Sequence, residues 1–270
     1  MKLATKIWLI AALVFLTGGI VLTAVSASSL NYNFSETFSS QAEEKSFQSS
    51  DPITKLDING VSADITLKPS ANHDVLVEYV QSKQNPYVVE LKDGTLSIHM
   101  DSSAPWYSHI HFMDMVHAKF DIYLPEAEYE AVTLHTVSGN ITAAEKAMTV
   151  KGNLEALTVS GEISVRNVTA DQASVKTTSG DITLQDLDVS SLSCQSISGE
   201  IEMKNCQSKG DMTVESTSGD LVLTNCRTDA TLTLHTVSGD VTENNTSAKT
   251  REFHSVSGDH ILTSSVTLHP

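Results

Sequence analysis

The amino-acid sequence predicts an all-β fold: a single-domain β-solenoid of about 19–20-residue coils, capped by antiparallel strands at its N-terminal end. Three observations carry this prediction. Ser-Gly followed by Asp, Glu or Asn recurs at Gly139, Gly161, Gly180, Gly199, Gly219, Gly239 and Gly258, at intervals of 22, 19, 19, 20, 20 and 19 residues. Between these glycines apolar residues alternate at period two, which belongs to strands and excludes a helical repeat. Ser, Thr and Val are plentiful and aromatic residues form only 6% of the chain, a composition suited to many short strands.

The N-terminal segment, residues 1–27, reads as a membrane anchor or signal. Lys2 and Lys6 precede an apolar run over residues 7–25, interrupted only by Thr17, Gly18, Gly19 and Thr23. As a helix that run spans about 28 Å, close to the hydrocarbon thickness of a bilayer. The basic residues lie before it, so the N-terminus is expected in the cytoplasm and the remainder outside. Val25-Ser26-Ala27 also fits a signal-peptidase site, and cleavage would release the protein. Both outcomes export the body of the chain, and the length of the run favours retention. Residues 28–52 are rich in Ser, Gln and Glu and read as a tether.

Residues 53–130 read as a first coil and its antiparallel cap. Residues 74–80 alternate well, residues 87–91 and 95–100 flank the hairpin signal Lys92-Asp93-Gly94, and residues 119–124 alternate again before Pro125. Residues 101–117 form an irregular stretch between them. Val61-Ser62-Ala63-Asp64-Ile65 is an altered copy of the repeat, with Ala for Gly. The strands after it then serve as an insertion that covers the first coil, since an open end invites edge-to-edge pairing.

Residues 131–270 are the solenoid repeats, and alignment on the glycine assigns each position. Two residues after it stand Ile141, Ile163, Ile182, Ile201, Leu221 and Val241; four after it stand Ala143, Val165, Leu184, Met203 and Leu223. Seven before it stand Val132, Leu154, Ala173, Leu192, Met212 and Leu232. These rows face inward, each residue meeting its equivalents about 4.8 Å above and below. Thr or Ser stands three before every glycine and is expected to form hydroxyl ladders. Asn167, Asp186, Asn205, Asn225 and Asn245, six after it, suit a stacked turn with left-handed backbone. The Ser-Gly pair reads as a second corner, where glycine permits positive φ.

Lys119-Phe120-Asp121-Ile122-Tyr123-Leu124-Pro125, then Val132-Thr133-Leu134-His135-Thr136-Val137-Ser138-Gly139-Asn140 and the recurring Ser-Gly-Asp, together resemble the bacterial putative-adhesin domain. That family includes LiaG-type membrane-anchored proteins of Gram-positive envelope-stress operons. The resemblance covers roughly residues 53–262 and the anchor. It implies a β-solenoid on the outer face of the membrane and a link to the cell envelope. No functional residues come with it.

The formal net charge of −16 argues against nucleic acid, whose phosphates require Lys and Arg, and against an anionic membrane surface. Candidate chemistry is sparse. Cys194, Cys206 and Cys226 fall on core rows and read as buried thiols, although Cys206 and Cys226 lie one coil apart, a spacing that could permit a bridge. His135, His235 and His254 share one outward position, and two stacked imidazoles could hold a metal. His99, His109, His111 and His117 cluster with Asp114, while Trp106 and Tyr107 could stack on a sugar. The acidic row of Asn140, Glu162, Asp181, Glu200, Asp220, Asp240 and Asp259 either bonds local amides or binds cations. No nucleophile motif or phosphate-binding loop is present.

These observations assign no catalytic, cofactor or metal residue. The expected protein is a non-enzymatic, membrane-anchored extracytoplasmic module whose partner is an envelope polymer or a protein. The alternative is a carbohydrate-active β-helix enzyme acting on an envelope polysaccharide, which would need carboxylates clustered with a base in a groove.

Overall fold

The computed structural model describes residues 42–83, 85–101, 116–143 and 145–263, all of them in β-strands and their connections. The N-terminal part contains β1 (Ala42–Ser49), β2 (Lys55–Asn59), β3 (Ala63–Pro69), β4 (Val75–Ser82), β5 (Tyr87–Lys92), β6 (Thr95–Met100), β7 (Ala118–Leu124), β8 (Glu128–Tyr129) and β9 (Ala131–His135). The stack continues through β10 (Ile141–Ala143), β11 (Met148–Leu157), β12 (Ile163–Lys176), β13 (Ile182–Ser196), β14 (Ile201–Lys204), β15 (Gln207–Ser208) and β16 (Met212–Ser216). It ends in β17 (Leu221–Thr224), β18 (Arg227–Ser238), β19 (Val241–Asn244), β20 (Ser247–Ser257) and β21 (His260–Thr263). Successive coils pair in parallel and in register. Ile163, Val165, Val168, Ala173 and Val175 lie beside Ile182, Leu184, Leu187, Leu192 and Cys194. The inward rows are buried along the stack, as the alignment predicts.

Val61 to Leu67 is indeed the first coil. Ile65 registers with Ile141, and Leu56 and Ile58 register with Val132 and Leu134. The cap differs from the expected antiparallel insertion in one respect. Strands β6 and β7 stack parallel on β2 and β3, placing Leu96, Ile98, Phe120 and Ile122 against Leu56, Ile58, Ile65 and Leu67. They form a further coil on the outside of the first. Antiparallel strands then finish this end: β5 on β6, β4 on β7 and β1 on β4. The hairpin turn places Asp93 and Gly94 at φ 50° and 73°, the conformation of a two-residue type I′ loop. Residues 42–49, read from composition as tether, are the edge strand β1; Phe47 is its one apolar side chain packed on the core.

The two corners of each coil use different physics. Asn167, Asp186, Asn205, Asn225 and Asn245 have φ between 53° and 55°, the left-handed backbone that the short polar side chains of Asn and Asp tolerate. Their side chains also bond along the stack, Asn245 to Asn225 (2.8 Å), Asn225 to Asn205 (3.2 Å) and Asn205 to Asp186 (2.8 Å). The donated amide of Asn205, and then that of Gln185, hold the Asp186 carboxyl below its ordinary range. At the Ser-Gly corner no glycine from 139 to 239 has positive φ, so conformational freedom is not the reason for glycine. A Cβ on Gly180 or Gly199 would lie 2.0 or 1.9 Å from the carbonyl oxygen of the glycine one coil earlier. Close approach of main chain to main chain demands the missing side chain.

The buried hydroxyl row serves the same corner. Thr158, Thr177, Ser196 and Thr236 donate to the carbonyls of Gly139, Gly161, Gly180 and Gly219 at 3.1–3.4 Å. The expected ladder of hydroxyl to hydroxyl is thus a ladder of hydroxyl to glycine carbonyl, because that carbonyl is the nearest acceptor without water.

At the C-terminal end the apolar rows close with polar side chains. Glu243 continues the row of Leu184, Met203 and Leu223 yet is fully buried. Its carboxylate meets His260 Nε2 at 2.8 Å and Arg251 Nε at 3.6 Å, and accepts from the Thr246 hydroxyl. Phe253 stacks on the His260 ring, with centroids 4.2 Å apart. Arg251 and His260 register with Leu232 and Val241, so core positions of the last coil carry the charges that cover the core.

Two predictions follow from these contacts. Gly199→Ala should lower stability by about 3 kcal/mol, the upper part of the range for overpacking, whereas Asn205→Gly should cost well under that, since glycine accepts the same φ; chemical denaturation of both variants measures the difference. Replacing Arg251 and His260 together by Ala should destabilise by roughly 3 kcal/mol by leaving a buried carboxylate uncompensated, and adding Glu243→Leu should recover most of the loss. Failure of the third substitution to rescue would show that the cap acts by packing instead of charge.

Candidate functional site

The structure places the sequence candidates as follows. Cys194, Cys206 and Cys226 are buried and free. Cys206 and Cys226 stack in one row without a bridge, since in-register parallel neighbours sit about 4.8 Å apart with parallel Cβ directions, against the Cβ separation of about 3.8 Å in a disulfide. Their sulfurs lie 3.5 Å from the carbonyls of Lys204 and Thr224. The neighbouring Cys226 sulfur, and then burial, push the Cys206 thiol up; burial alone does so for Cys194. Cys194 and Cys206 therefore stay protonated, while the hydrogen bond from Cys206 draws the Cys226 thiol down.

His235 and His254 are adjacent, but their rings meet edge to face with centroids 6.3 Å apart. His135 instead lies 3.4 Å from Glu155, and His117 lies 3.0 Å from Asp64. His99 is exposed on β6. Among the described residues no group of three or more His, Cys, Asp and Glu side chains is placed to hold a metal ion. Trp106, Tyr107, His109, His111 and Asp114 lie outside the described residues, as does the anchor at residues 1–27. Among the described residues no helix is long and apolar enough to cross a membrane.

The acidic row has a structural duty. Oδ1 of Asp64, Asn140, Asp181, Asp220 and Asp240 accepts a hydrogen bond at 2.8–2.9 Å from the backbone N–H of the equivalent residue one coil on. The acceptor reaches between coils, where a local amide was expected. Asp and Asn have the length for this bond, and the Glu members of the row, Glu162 and Glu200, take part only by donating their own backbone N–H. The carboxylates thus recur along the stack and are aimed at main-chain amides, and Asp64 also meets the His117 imidazole at 3.0 Å.

One surface feature was missed in the sequence. Two residues before the glycine stand Val61, Val137, Val159, Thr178, Ile197, Thr217, Val237 and Val256. The Val and Ile members are 37–80% exposed, unusual for large apolar side chains in such a regular array. They form a β-branched ridge along the Ser-Gly corner, one residue wide, with main chains held by bonds such as Ser160 N to Val137 O (2.8 Å). The exposed acidic row runs parallel to it on the far side of the glycines. The signal was present in the alignment: the position is apolar in most coils yet lies out of phase with the inward rows.

Three concavities stand out among the described residues. A pocket of about 210 Å³ lies beside the cap, with Leu67, Pro69, Leu124, Tyr129 and Met148 among its walls. Its rim cation Lys146 is paired to Glu126 at 3.0 Å, and the buried Tyr129 hydroxyl donates to the carbonyl of Pro125 at 2.7 Å. A shallow groove of about 290 Å³ crosses β11, β12, β13 and β16 on the outer face, lined by Glu155, Gln172, Ser174, Ser193 and Thr213. A third, of about 480 Å³, lies against β1, β4 and β7 and is lined by Glu44, Lys45, Glu78, Lys119 and Asp121, where Lys68 and Lys119 hold the Asp121 carboxylate at 3.0 Å. Glu126 and Glu145 line the pocket and Glu155 and Asp211 the groove, and Glu126 and Glu155 are themselves paired with Lys146 and His135.

This architecture is found in other proteins. A structure described as a putative adhesin from Bacteroides fragilis superposes with a TM-score of 0.54 at 16% identity, over 84% of this chain and 98% of that one. A second putative adhesin, from Parabacteroides merdae, gives 0.50 at 13% identity, over 83% and 97%. Likeness at this identity establishes the shared fold. Among curated proteins none matches the chain. The Toastrack DUF4097 family model matches residues 53–267, the cap and the repeats together, and the chain belongs to that family.

Proposed function

We propose that the protein is a non-catalytic binding module of the cell envelope, held on the outer face of the membrane by residues 7–25. The observation that carries this reading is the ridge at the Ser-Gly corner. It sets exposed Val and Ile side chains beside a line of exposed carboxylates over the whole repeat region. Large apolar side chains exposed in a regular row, here broken by Thr178 and Thr217, mark contact surfaces. Carboxylates alongside select for a cationic partner and repel anionic ones. The ridge therefore suits an envelope polymer or protein that presents apolar groups next to basic ones. The putative adhesins of the same fold are in keeping with a surface that binds and does not turn over.

The row itself supplies the variant for the test. Thr already occupies the position at 178 and 217, so Val137→Thr, Val159→Thr, Ile197→Thr and Val237→Thr together keep the β-branched shape and remove the apolar surface. Recovery of envelope components by the full chain should fall about tenfold, equivalent to roughly 1.4 kcal/mol, with the unfolding midpoint unchanged. Equal recovery would remove the ridge as the binding surface, and release of sugar fragments from envelope polysaccharide by the wild type would replace this reading with an enzymatic one.

A further inference from the structure

The two ends of the stack are built differently. At the N-terminal end the outermost coil is followed by antiparallel strands, so another parallel coil cannot be added there. At the C-terminal end β20 pairs only with β18, and β21 only with β19, among the described residues. Their outer N–H and C=O groups form a strand edge that runs along the last coil. The same end exposes Val256, Ile261 and Leu262, at 80%, 52% and 49%, values otherwise confined to the ridge. The interior is sealed by the Glu243 cluster, but that cluster does nothing for the main-chain edge.

An edge of this kind pairs with another strand. The cap also ends in an edge strand, β1, which pairs only with β4 among the described residues, but that edge carries the charges of Glu43, Glu44 and Lys45, which disfavour strand addition. Tail-to-tail pairing about a two-fold axis joins like edges and closes at two. The sequence of β20 suits it. An axis at Phe253 sets Phe253 against its own equivalent and places Glu252 of each copy opposite His254 of the other. Thr250 then faces Val256, a pairing of β-branched residues. The side chains of Phe253 and Ala248 are half-buried, ready to extend the core across the junction.

We propose that the C-terminal coil is a dimerisation surface, joining two copies antiparallel through β20 and burying Val256, Ile261 and Leu262. Cross-linking of the full chain tests it directly, because the three native thiols are buried. Phe253→Cys should oxidise to a covalent dimer, since directly opposed residues of antiparallel strands lie about 4.5–5.5 Å apart. Gln48→Cys, on the exposed side of β1 in the cap, should not. By sedimentation in detergent, Glu252→Lys should weaken the dimer about tenfold, and adding His254→Glu should restore it. A full chain that is monomeric and does not cross-link through Phe253→Cys would overturn the proposal. So would a dimer that ignores both charge changes, or one that forms only after residues 264–270 are deleted, since the edge would then be covered by the chain's own tail.

Discussion

At every Ser-Gly corner the main chain of one coil rests against the carbonyl oxygen of the glycine one coil below, closer than a Cβ atom would allow. That contact sets the spacing and lateral position of each coil on the last. At most corners the buried Thr or Ser three residues earlier donates to the same carbonyl, and where Asp or Asn stands one residue later it bonds the next coil's amide. Three neighbouring positions therefore fasten one corner, and the inward rows fall into register from it. The opposite corner, with left-handed Asn and its side-chain ladder, repeats the registration at the other side of the coil.

Because the corner residues are committed to stacking, the chemistry they suggest is largely spoken for. Carboxylates in a row evoke cations, and here their oxygens hold backbone amides. Stacked cysteines evoke a bridge, and here they fill a core row. What remains for recognition is the outward surface, where the ridge of Val and Ile has no structural duty that the Thr members at 178 and 217 do not also perform. Function in such a fold resides in positions where the repeat tolerates variety.

Legibility followed the same division. The inward rows, the Asn corner and the altered copy at Val61 to Leu67 could be read because each repeats at the coil period. The reason for glycine could not, since its absent side chain is explained by a neighbour 19 or 20 residues away and not by its own backbone. The stacking of β6 and β7 outside β2 and β3 was hidden as well: local alternation tells that a strand exists, not which strand lies beside it. Strand β1 was hidden because an edge strand needs little apolar surface, and Phe47 alone supplies it. The polar cap went unread: the apolar rows break at Glu243, Arg251 and His260, but only the register shows that the breaks face one another. His235 and His254 were placed correctly side by side, while their edge-to-face geometry depends on rotamers that no spacing encodes.

The outermost coil at the N-terminal end is made from residues later in sequence than the coil it covers. The chain lays down β2 and β3, passes outward to make β6 and β7, then returns beneath to β9 and β10. A solenoid wound in strict order can unravel from either terminus, one coil at a time. Here the first coil is clasped between two others, and drawing out its strands requires breaking pairs on both sides at once. Tension arriving from the N-terminal side would peel the edge strand β1 from β4 and then meet this clasp. Unwinding begins at the last coil, so the stack has a strong end and a weak one, and the strong end is the one joined to the segment that precedes it.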